Sequence, residues 1–300
     1  MKSKININHP HVKAIYTRVE EEAVRALDAP QSVENAVLPI YALPKTKAHE
    51  RPKRKVVQVG TGVLVTINSE YFVFTATHVA FNFLDTALHV GYGDGTPITG
   101  FSSDRFSTGK ATNPDGSNLD AAVFHLLESI PVEMQRRAIT LKDFDFEDSN
   151  DKAVYLAAGF RLRDSNIVGN RSTGKLKAFP SGELGLEDYV NLGISDESQF
   201  LLAFDNQALT AEGWKETPLI KGCSGGPIIK ASGTNLDFTS SLNPERIEVK
   251  QLLTAIIIEQ HRAKDKRPGY VLATRVNVFL GLIDQFLPDL KLKDFLENFD

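Results

Sequence analysis

The chain has 300 residues, 42% of them hydrophobic and 24% charged, so it can bury a core without disulfide or metal staples. Its formal net charge of −4 argues against a general nucleic-acid binder. Cys223 is the one cysteine, the N-terminus lacks an apolar leader segment, and no run approaches about 18 apolar residues, which together predict a cytoplasmic protein without a membrane span.

In chain order, residues 10–28 carry Val12, Ile15, Val19, Ala23, Ala26 and Leu27 at helical spacing behind Pro10. This predicts a helix, with Glu20, Glu21 and Glu22 on a solvated face. Residues 29–55 hold Pro30, Pro39, Pro44, Pro52 and the basic run Arg51-Pro52-Lys53-Arg54-Lys55, and read as an extended, solvated connector. From Val56 the texture becomes β-branched and aromatic. VVQVGTGVLVTI and YFVFTATHV, separated around Asn68-Ser69-Glu70, predict two antiparallel strands. LHVGYGDGTPITGF, AAVFHLL and KAVYLAAGF continue the pattern. So do GKLKAF, QFLLAFD, GGPIIKA, RIEVKQLLTAIIIE and GYVLATRV. Short strands between Gly, Pro and Asp turns predict barrels or a sandwich. A helix of about twenty residues is expected from Val276, with Phe279, Leu282, Ile283, Phe286 and Leu287 on one face and a break at Pro288. The acidic stretch 141–152 lacks the ligand order of an EF-hand loop. It reads as a solvated connector between two β units, not a metal site.

The chemistry centres on KGCSGGPIIK, residues 221–230. Acyl transfer needs a nucleophile, a base, a group that orients the base, and donors for the oxyanion. Glycines around Cys223 and Ser224 allow backbone N–H groups to turn into one small space, and the apolar strand that follows anchors the loop. His78 lies in FTATHVA (74–80) after an apolar run, and Asp120 lies in NLDAAVFHL (118–126) directly before another. Asp104 and Asp115 are its competitors. His89, His125 and His261 read as packed or surface histidines.

These segments resemble the chymotrypsin-like (trypsin-fold) serine proteases: GCSGGP the nucleophile loop Gly-x-Ser-Gly-Gly-Pro, FTATHVA the Thr-Ala-Ala-His segment, NLDAAVFHL the Asp-Ile-Ala-Leu strand. GYVLATRV with its helix resembles the closing strand and C-terminal helix. The likeness runs from Val56 to the C-terminus. It implies an all-β fold of two antiparallel six-stranded β-barrels, with an N-terminal helical extension and a C-terminal helix. The implied division is 1–55 helix and connector, 56–145 first barrel with His78 and Asp120, and 146–300 second barrel with Ser224. It further implies Ser224 as nucleophile, His78 as general base and then acid, Asp120 as the group orienting His78, and Gly222 and Ser224 N–H as the oxyanion hole.

Cys223 then occupies the variable position of Gly-x-Ser, and its side chain is expected to turn into the protein. Many relatives carry there an aspartate that pairs with a freshly cut N-terminal amine. A thiol cannot do so, which implies that this chain is not activated by that cleavage. For substrate binding, the resemblance implies Pro218, with Glu216, Thr217 and Leu219 nearby, at the pocket for the residue before the scissile bond. Glu216 itself reads as a surface residue. Ile258, Glu259 and Gln260 are expected on the strand edge that pairs with substrate. His261–Pro268 reads as a basic loop beside the cleft, and 231–250 as a longer connection than compact relatives have. The implied function is an intracellular serine endopeptidase of narrow specificity, with a bacterial stress or anti-phage pathway as a setting. Its partners would be a protein or peptide substrate and a regulatory protein docking through the N-terminal helix. No cofactor, metal, nucleic acid or membrane is implied. The alternative is a catalytically silent peptide-binding scaffold of the same fold, against which the intact His78, Asp120 and Ser224 count.

Overall fold

β-Branched and aromatic residues alternate or run together because their strands are buried on one face or both. The computed structural model describes residues 10–42, 56–81, 87–109, 119–147, 152–210, 213–236, 247–264 and 267–292. The basic run Arg51–Lys55, Asp115 and residues 237–246 of the long connection lie outside them.

The chain opens with helix α1 (Pro10–Leu27) and a single turn α2 (Ser32–Asn35). Strands β1 (Val37–Ala42), β2 (Val57–Ile67) and β3 (Glu70–Ala76) follow, then the turn α3 (Thr77–Ala80). Next come β4 (Ala87–Val90), β5 (Asp94–Pro97), β6 (Thr99–Ser107) and β7 (Ala121–Leu126). The order β1-β2-β3-β7-β6-β4 forms a closed barrel, sealed where Ile40 and Tyr41 pair with Val90 and His89. Closure leaves this sheet without a free edge. Leu38, Ile40, Val63, Val65, Phe72, Phe74 and Leu88 fill its core.

Here the structure corrects the sequence reading. Residues 37–42 are not connector but the first barrel strand, so the barrel begins nineteen residues before Val56 (56 − 37). Pro39 had suggested an irregular segment. It is tolerated because it sits opposite Thr61, whose N–H and carbonyl bond Ser224 O and Thr75 Oγ1 rather than Pro39.

After the turn α4 (Val132–Gln135), strand β8 (Val154–Phe160) begins the second half. β9 (Asn166–Val168) and β10 (Arg171–Thr173) form a small sheet with β5. The remaining elements are β11 (Leu176–Ser181), α5 (Leu186–Leu192), β12 (Gln199–Ala203), the hairpin β13 (Gln207–Thr210) with β14 (Gly213–Glu216), β15 (Pro227–Ser232), β16 (Lys250–His261), β17 (Tyr270–Arg275) and α6 (Val276–Phe286). The six-stranded sheet β11-β8-β15-β16-β17-β12 curls on itself. Ala203 N–H donates to Gly182 O and Leu184 N–H to Leu201 O, each at 2.9 Å, which links the segment after β11 to β12 and completes the second barrel. The fold is therefore all-β, a double six-stranded barrel with few helices.

α6 is eleven residues long, shorter than expected. It covers the first barrel, with Phe279 stacked on Phe74 at 5.0 Å and Phe286 on Phe106 at 4.9 Å. No helix among the described residues is long and apolar enough to cross a membrane.

Two stretches read as solvated are engaged. Asp145, in the acidic stretch, is buried and accepts from Lys230 Nζ at 3.0 Å and Thr254 Oγ1 at 2.9 Å; Glu147 accepts from Lys230 at 2.7 Å. Burial works against the Lys230 charge, but the two carboxylates outweigh it and hold its pKa above the ordinary lysine value. On α1, Glu22 pairs with Arg25 at 2.8 Å and accepts from Asn235 N–H at 3.0 Å. Arg25 also donates to Gly233 O at 3.1 Å and Ile247 O at 2.8 Å, so the helix holds both described ends of the 231–250 connection. A charged residue that finds a partner far along the chain leaves no local trace in the sequence.

Candidate active site

β3 and β7 are antiparallel neighbours whose register ends with Ala76 opposite Ala121. His78, just beyond the end of β3, and Asp120, just before β7, therefore emerge side by side despite a sequence separation of 42. Thr77 anchors the corner, its N–H donating to Asp120 O at 3.0 Å and its hydroxyl to Ala121 O at 2.7 Å. The Asp120 carboxylate then takes His78 from two sides. It accepts from His78 N–H at 3.0 Å through Oδ1 and lies 2.6 Å from His78 Nδ1 through Oδ2. With the proton on Nδ1, the imidazole donates to Asp120 and its Nε2 is the basic nitrogen. The carboxylate is 8% exposed and the imidazole 50%, an oriented base with one side open to solvent. Asp120 has φ +41°, a left-handed conformation that aspartate tolerates better than most residues. Such local strain recurs at functional sites.

Ser224 lies in a tight loop between Ile220 and β15. Cys223 N–H donates to Ile220 O at 2.9 Å and Gly226 N–H to Cys223 O at 2.7 Å. Gly225, at φ +85°, donates to Ile257 O at 2.7 Å. A Cβ on Gly225 would fall 2.0 Å from Thr61 O, so only glycine fits. Among the described residues, these bonds leave the N–H groups of Gly222 and Ser224 unspent.

The first barrel meets this loop through Thr61, which sequence reasoning missed. Thr61 N–H donates to Ser224 O at 2.9 Å and its hydroxyl to Gly222 O at 2.8 Å. The same hydroxyl accepts from Phe160 N–H at 3.2 Å, and Thr75 Oγ1 donates to Thr61 O at 2.8 Å. The available signal was a threonine between two glycines in an otherwise apolar run, VGTGV. The contact also brings the histidine turn to the serine loop: a Cβ on Gly60 would lie 2.6 Å from Val79 methyls and 3.0 Å from Ser224 O. Val79 is the residue after His78. The Ser224 hydroxyl itself is hydrogen-bonded by no group among the described residues.

Cys223 faces the other way. It is 1% exposed and packs in the core of the second barrel with Ile220, Ile228 and Ile257. Burial pushes its thiol pKa up to about 12. A thiol so protonated and enclosed is a poor nucleophile, whereas Ser224 beside it is half-buried.

The predicted substrate residues fall beside the same loop. β15 pairs with β16 as far as Ile256, and Ile257 exchanges bonds with Gly225 and Gly226. Beyond that, Glu259, Gln260 and His261 pair only with β17 among the described residues. Ile258 is buried. Glu259 is 56% exposed and binds His261 Nε2 at 2.7 Å; that bond, then the charges of His261 and His78, hold its pKa below the usual carboxylate value against the opposing effect of burial. Pro218 carries a carbonyl that Gln260 Nε2 approaches at 3.5 Å, and Glu216 is exposed on the β13–β14 hairpin, as read. Among the described residues no cluster of His, Cys, Asp and Glu could hold a metal ion. A cleft of about 690 Å³ lies elsewhere, between α1 and the second barrel; its lining reaches Thr217 and Pro218 but includes none of His78, Asp120 and Ser224.

No family model and no curated protein matches the chain. Among solved structures it is similar to neuropsin, a serine protease expressed in the limbic system of mouse brain, with a TM-score of 0.50 and 13% identity over 86% of this chain and 96% of that one. At that identity the likeness concerns the fold, the trypsin-like double barrel.

Proposed function

We propose that the chain is a serine endopeptidase working through an acyl-enzyme, a cytoplasmic processing protease with a protein or peptide substrate. The observation that carries this reading is the Asp120–His78 pair, 2.6 Å at Nδ1, on the barrel whose strand β2 also bonds the Ser224 loop through Thr61. The trypsin-like fold supports it. In the proposed reaction, His78 Nε2 takes the Ser224 proton as Oγ attacks the scissile carbonyl. Asp120 keeps the proton on Nδ1 and stabilises the imidazolium. The N–H groups of Gly222 and Ser224 receive the oxyanion, a contribution of about 10²–10³ in rate per donor. His78 then protonates the leaving amine; in the second half it takes a proton from water as the water attacks the acyl carbon, and returns it to Ser224 Oγ as the ester bond breaks and the acid leaves. Substrate has to draw the Ser224 hydroxyl into line with His78, because catalytic hydrogen bonds commonly tighten only in the Michaelis complex.

The test is covalent labelling with a fluorophosphonate serine-hydrolase probe. Wild type and Cys223→Ala are expected to label and Ser224→Ala is not. A folded wild-type chain that stays unlabelled would instead mark a silent peptide-binding scaffold. Labelling lost in Cys223→Ala but kept in Ser224→Ala would overturn the serine assignment.

A further inference from the structure

We infer that Gln260 sets the specificity of the proposed protease by closing the space that receives the residue before the scissile bond, so that its substrates carry glycine, alanine or serine there. The inference rests on the protease reading above and concerns the same site.

Strand β16 is pleated. Side chains two apart share a face. Glu259 and His261 share one, where they bind each other at 2.7 Å. Gln260 and Arg262 share the opposite face, and both reach across to the segment that leads into the serine loop. Ile220 N–H donates to Gln260 Oε1 at 3.1 Å, and Gln260 Nε2 lies 3.5 Å from Pro218 O. Arg262 Nη2 donates to Thr217 O at 2.9 Å. Two side chains thus lace the strand edge to residues 217–220.

Among the described residues the edge of β16 after Ile257 is left unpaired by β15, and it suits a peptide added as an antiparallel strand. Its acyl carbon has to reach Ser224 Oγ. The side chain one bond away then enters the gap between 218–220 on one wall and Ile258–Gln260 on the other. That gap is spanned by the Gln260 amide. A side chain larger than a methyl or hydroxymethyl has to displace it, and then Ile220 N–H and Pro218 O lose their side-chain partner. Rejecting a group that breaks such bonds is a stronger filter than losing a methylene, which alone gives about 10–200-fold.

The test compares kcat/KM on a peptide series varying only that residue, with a separate aliquot of each protein assayed for Ser224 labelling by the fluorophosphonate. Wild type is expected to prefer alanine, glycine or serine over leucine, phenylalanine or lysine by at least about tenfold. In Gln260→Gly the ratio of large apolar to alanine substrates should rise at least about tenfold. Gln260→Ala serves the same purpose if glycine weakens the strand. A merely structural role for Gln260 would lower all rates together and leave the ratio where it was. An unshifted ratio in a variant whose separate aliquot labels at Ser224, or a wild type that favours large residues, overturns this inference alone. A folded chain that does not label Ser224 overturns the protease reading and this inference with it.

Discussion

Cys223 and Ser224 are adjacent in sequence and opposite in environment. The cysteine is enclosed in an apolar core, and its un-ionised thiol is expected to resist iodoacetamide at pH 8 in the folded protein. It should react fully in urea, as mass spectrometry would report; ready labelling of folded protein would contradict the inward orientation. Asp120 offers a second test at this scale. Asn tolerates its left-handed backbone, so Asp120→Asn removes the charge with little strain. If the His78 tautomer depends on the carboxylate, kcat falls by roughly four orders of magnitude while thermal unfolding changes little. Equal kcat values would remove Asp120 from the chemistry. In the sequence Asp120 and Ser224 stand out through segments that resemble those of the trypsin-fold proteases, each directly beside a hydrophobic run.

At the scale of elements, β2 is the strand that joins the two barrels at the site. Thr61 bonds Ser224 O, Gly222 O and Phe160 N from a fully buried position. Thr61→Val keeps the backbone bond to Ser224 but strips Gly222 O and Phe160 N of their partner. The expected cost is about 1–3 kcal/mol in urea unfolding, with slower Ser224 labelling as the loop loosens. Unaltered stability would mean that those groups find other partners. The strand itself follows from its β-branched run; the destination of one hydroxyl follows only from which loop lies against it. β1 was hidden for a related reason: a proline in a short segment looks like connector until the barrel supplies strands on both sides.

At the scale of the molecule, the connector between the barrels is fastened to the strand that follows the serine loop. Lys230, on β15, is buried with Asp145 and also binds Glu147. Taking Lys230 to Met leaves the Asp145 charge buried without its ammonium partner, and about 3–5 kcal/mol of stability should be lost. The double variant Lys230→Met/Asp145→Leu should recover most of it, since an apolar pair of similar volume no longer strands a charge. A double variant no more stable than the single one would contradict that account. Within the acidic stretch, Asp145 is buried against that ammonium, and Glu147 reaches it from an exposed position.

By itself the sequence determined the β-rich architecture, the loop around Ser224, and the segments carrying His78 and Asp120, because hydrophobic periodicity and glycine placement are local properties written in consecutive residues. Tertiary structure alone decided that β1 closes the first barrel, that Thr61 holds the serine loop, that Asp145 is paired rather than solvated, and that Gln260 crosses to Pro218 and Ile220. Each of these depends on partners set by strand register and barrel contact, between residues tens of positions apart, and no local pattern records such a meeting.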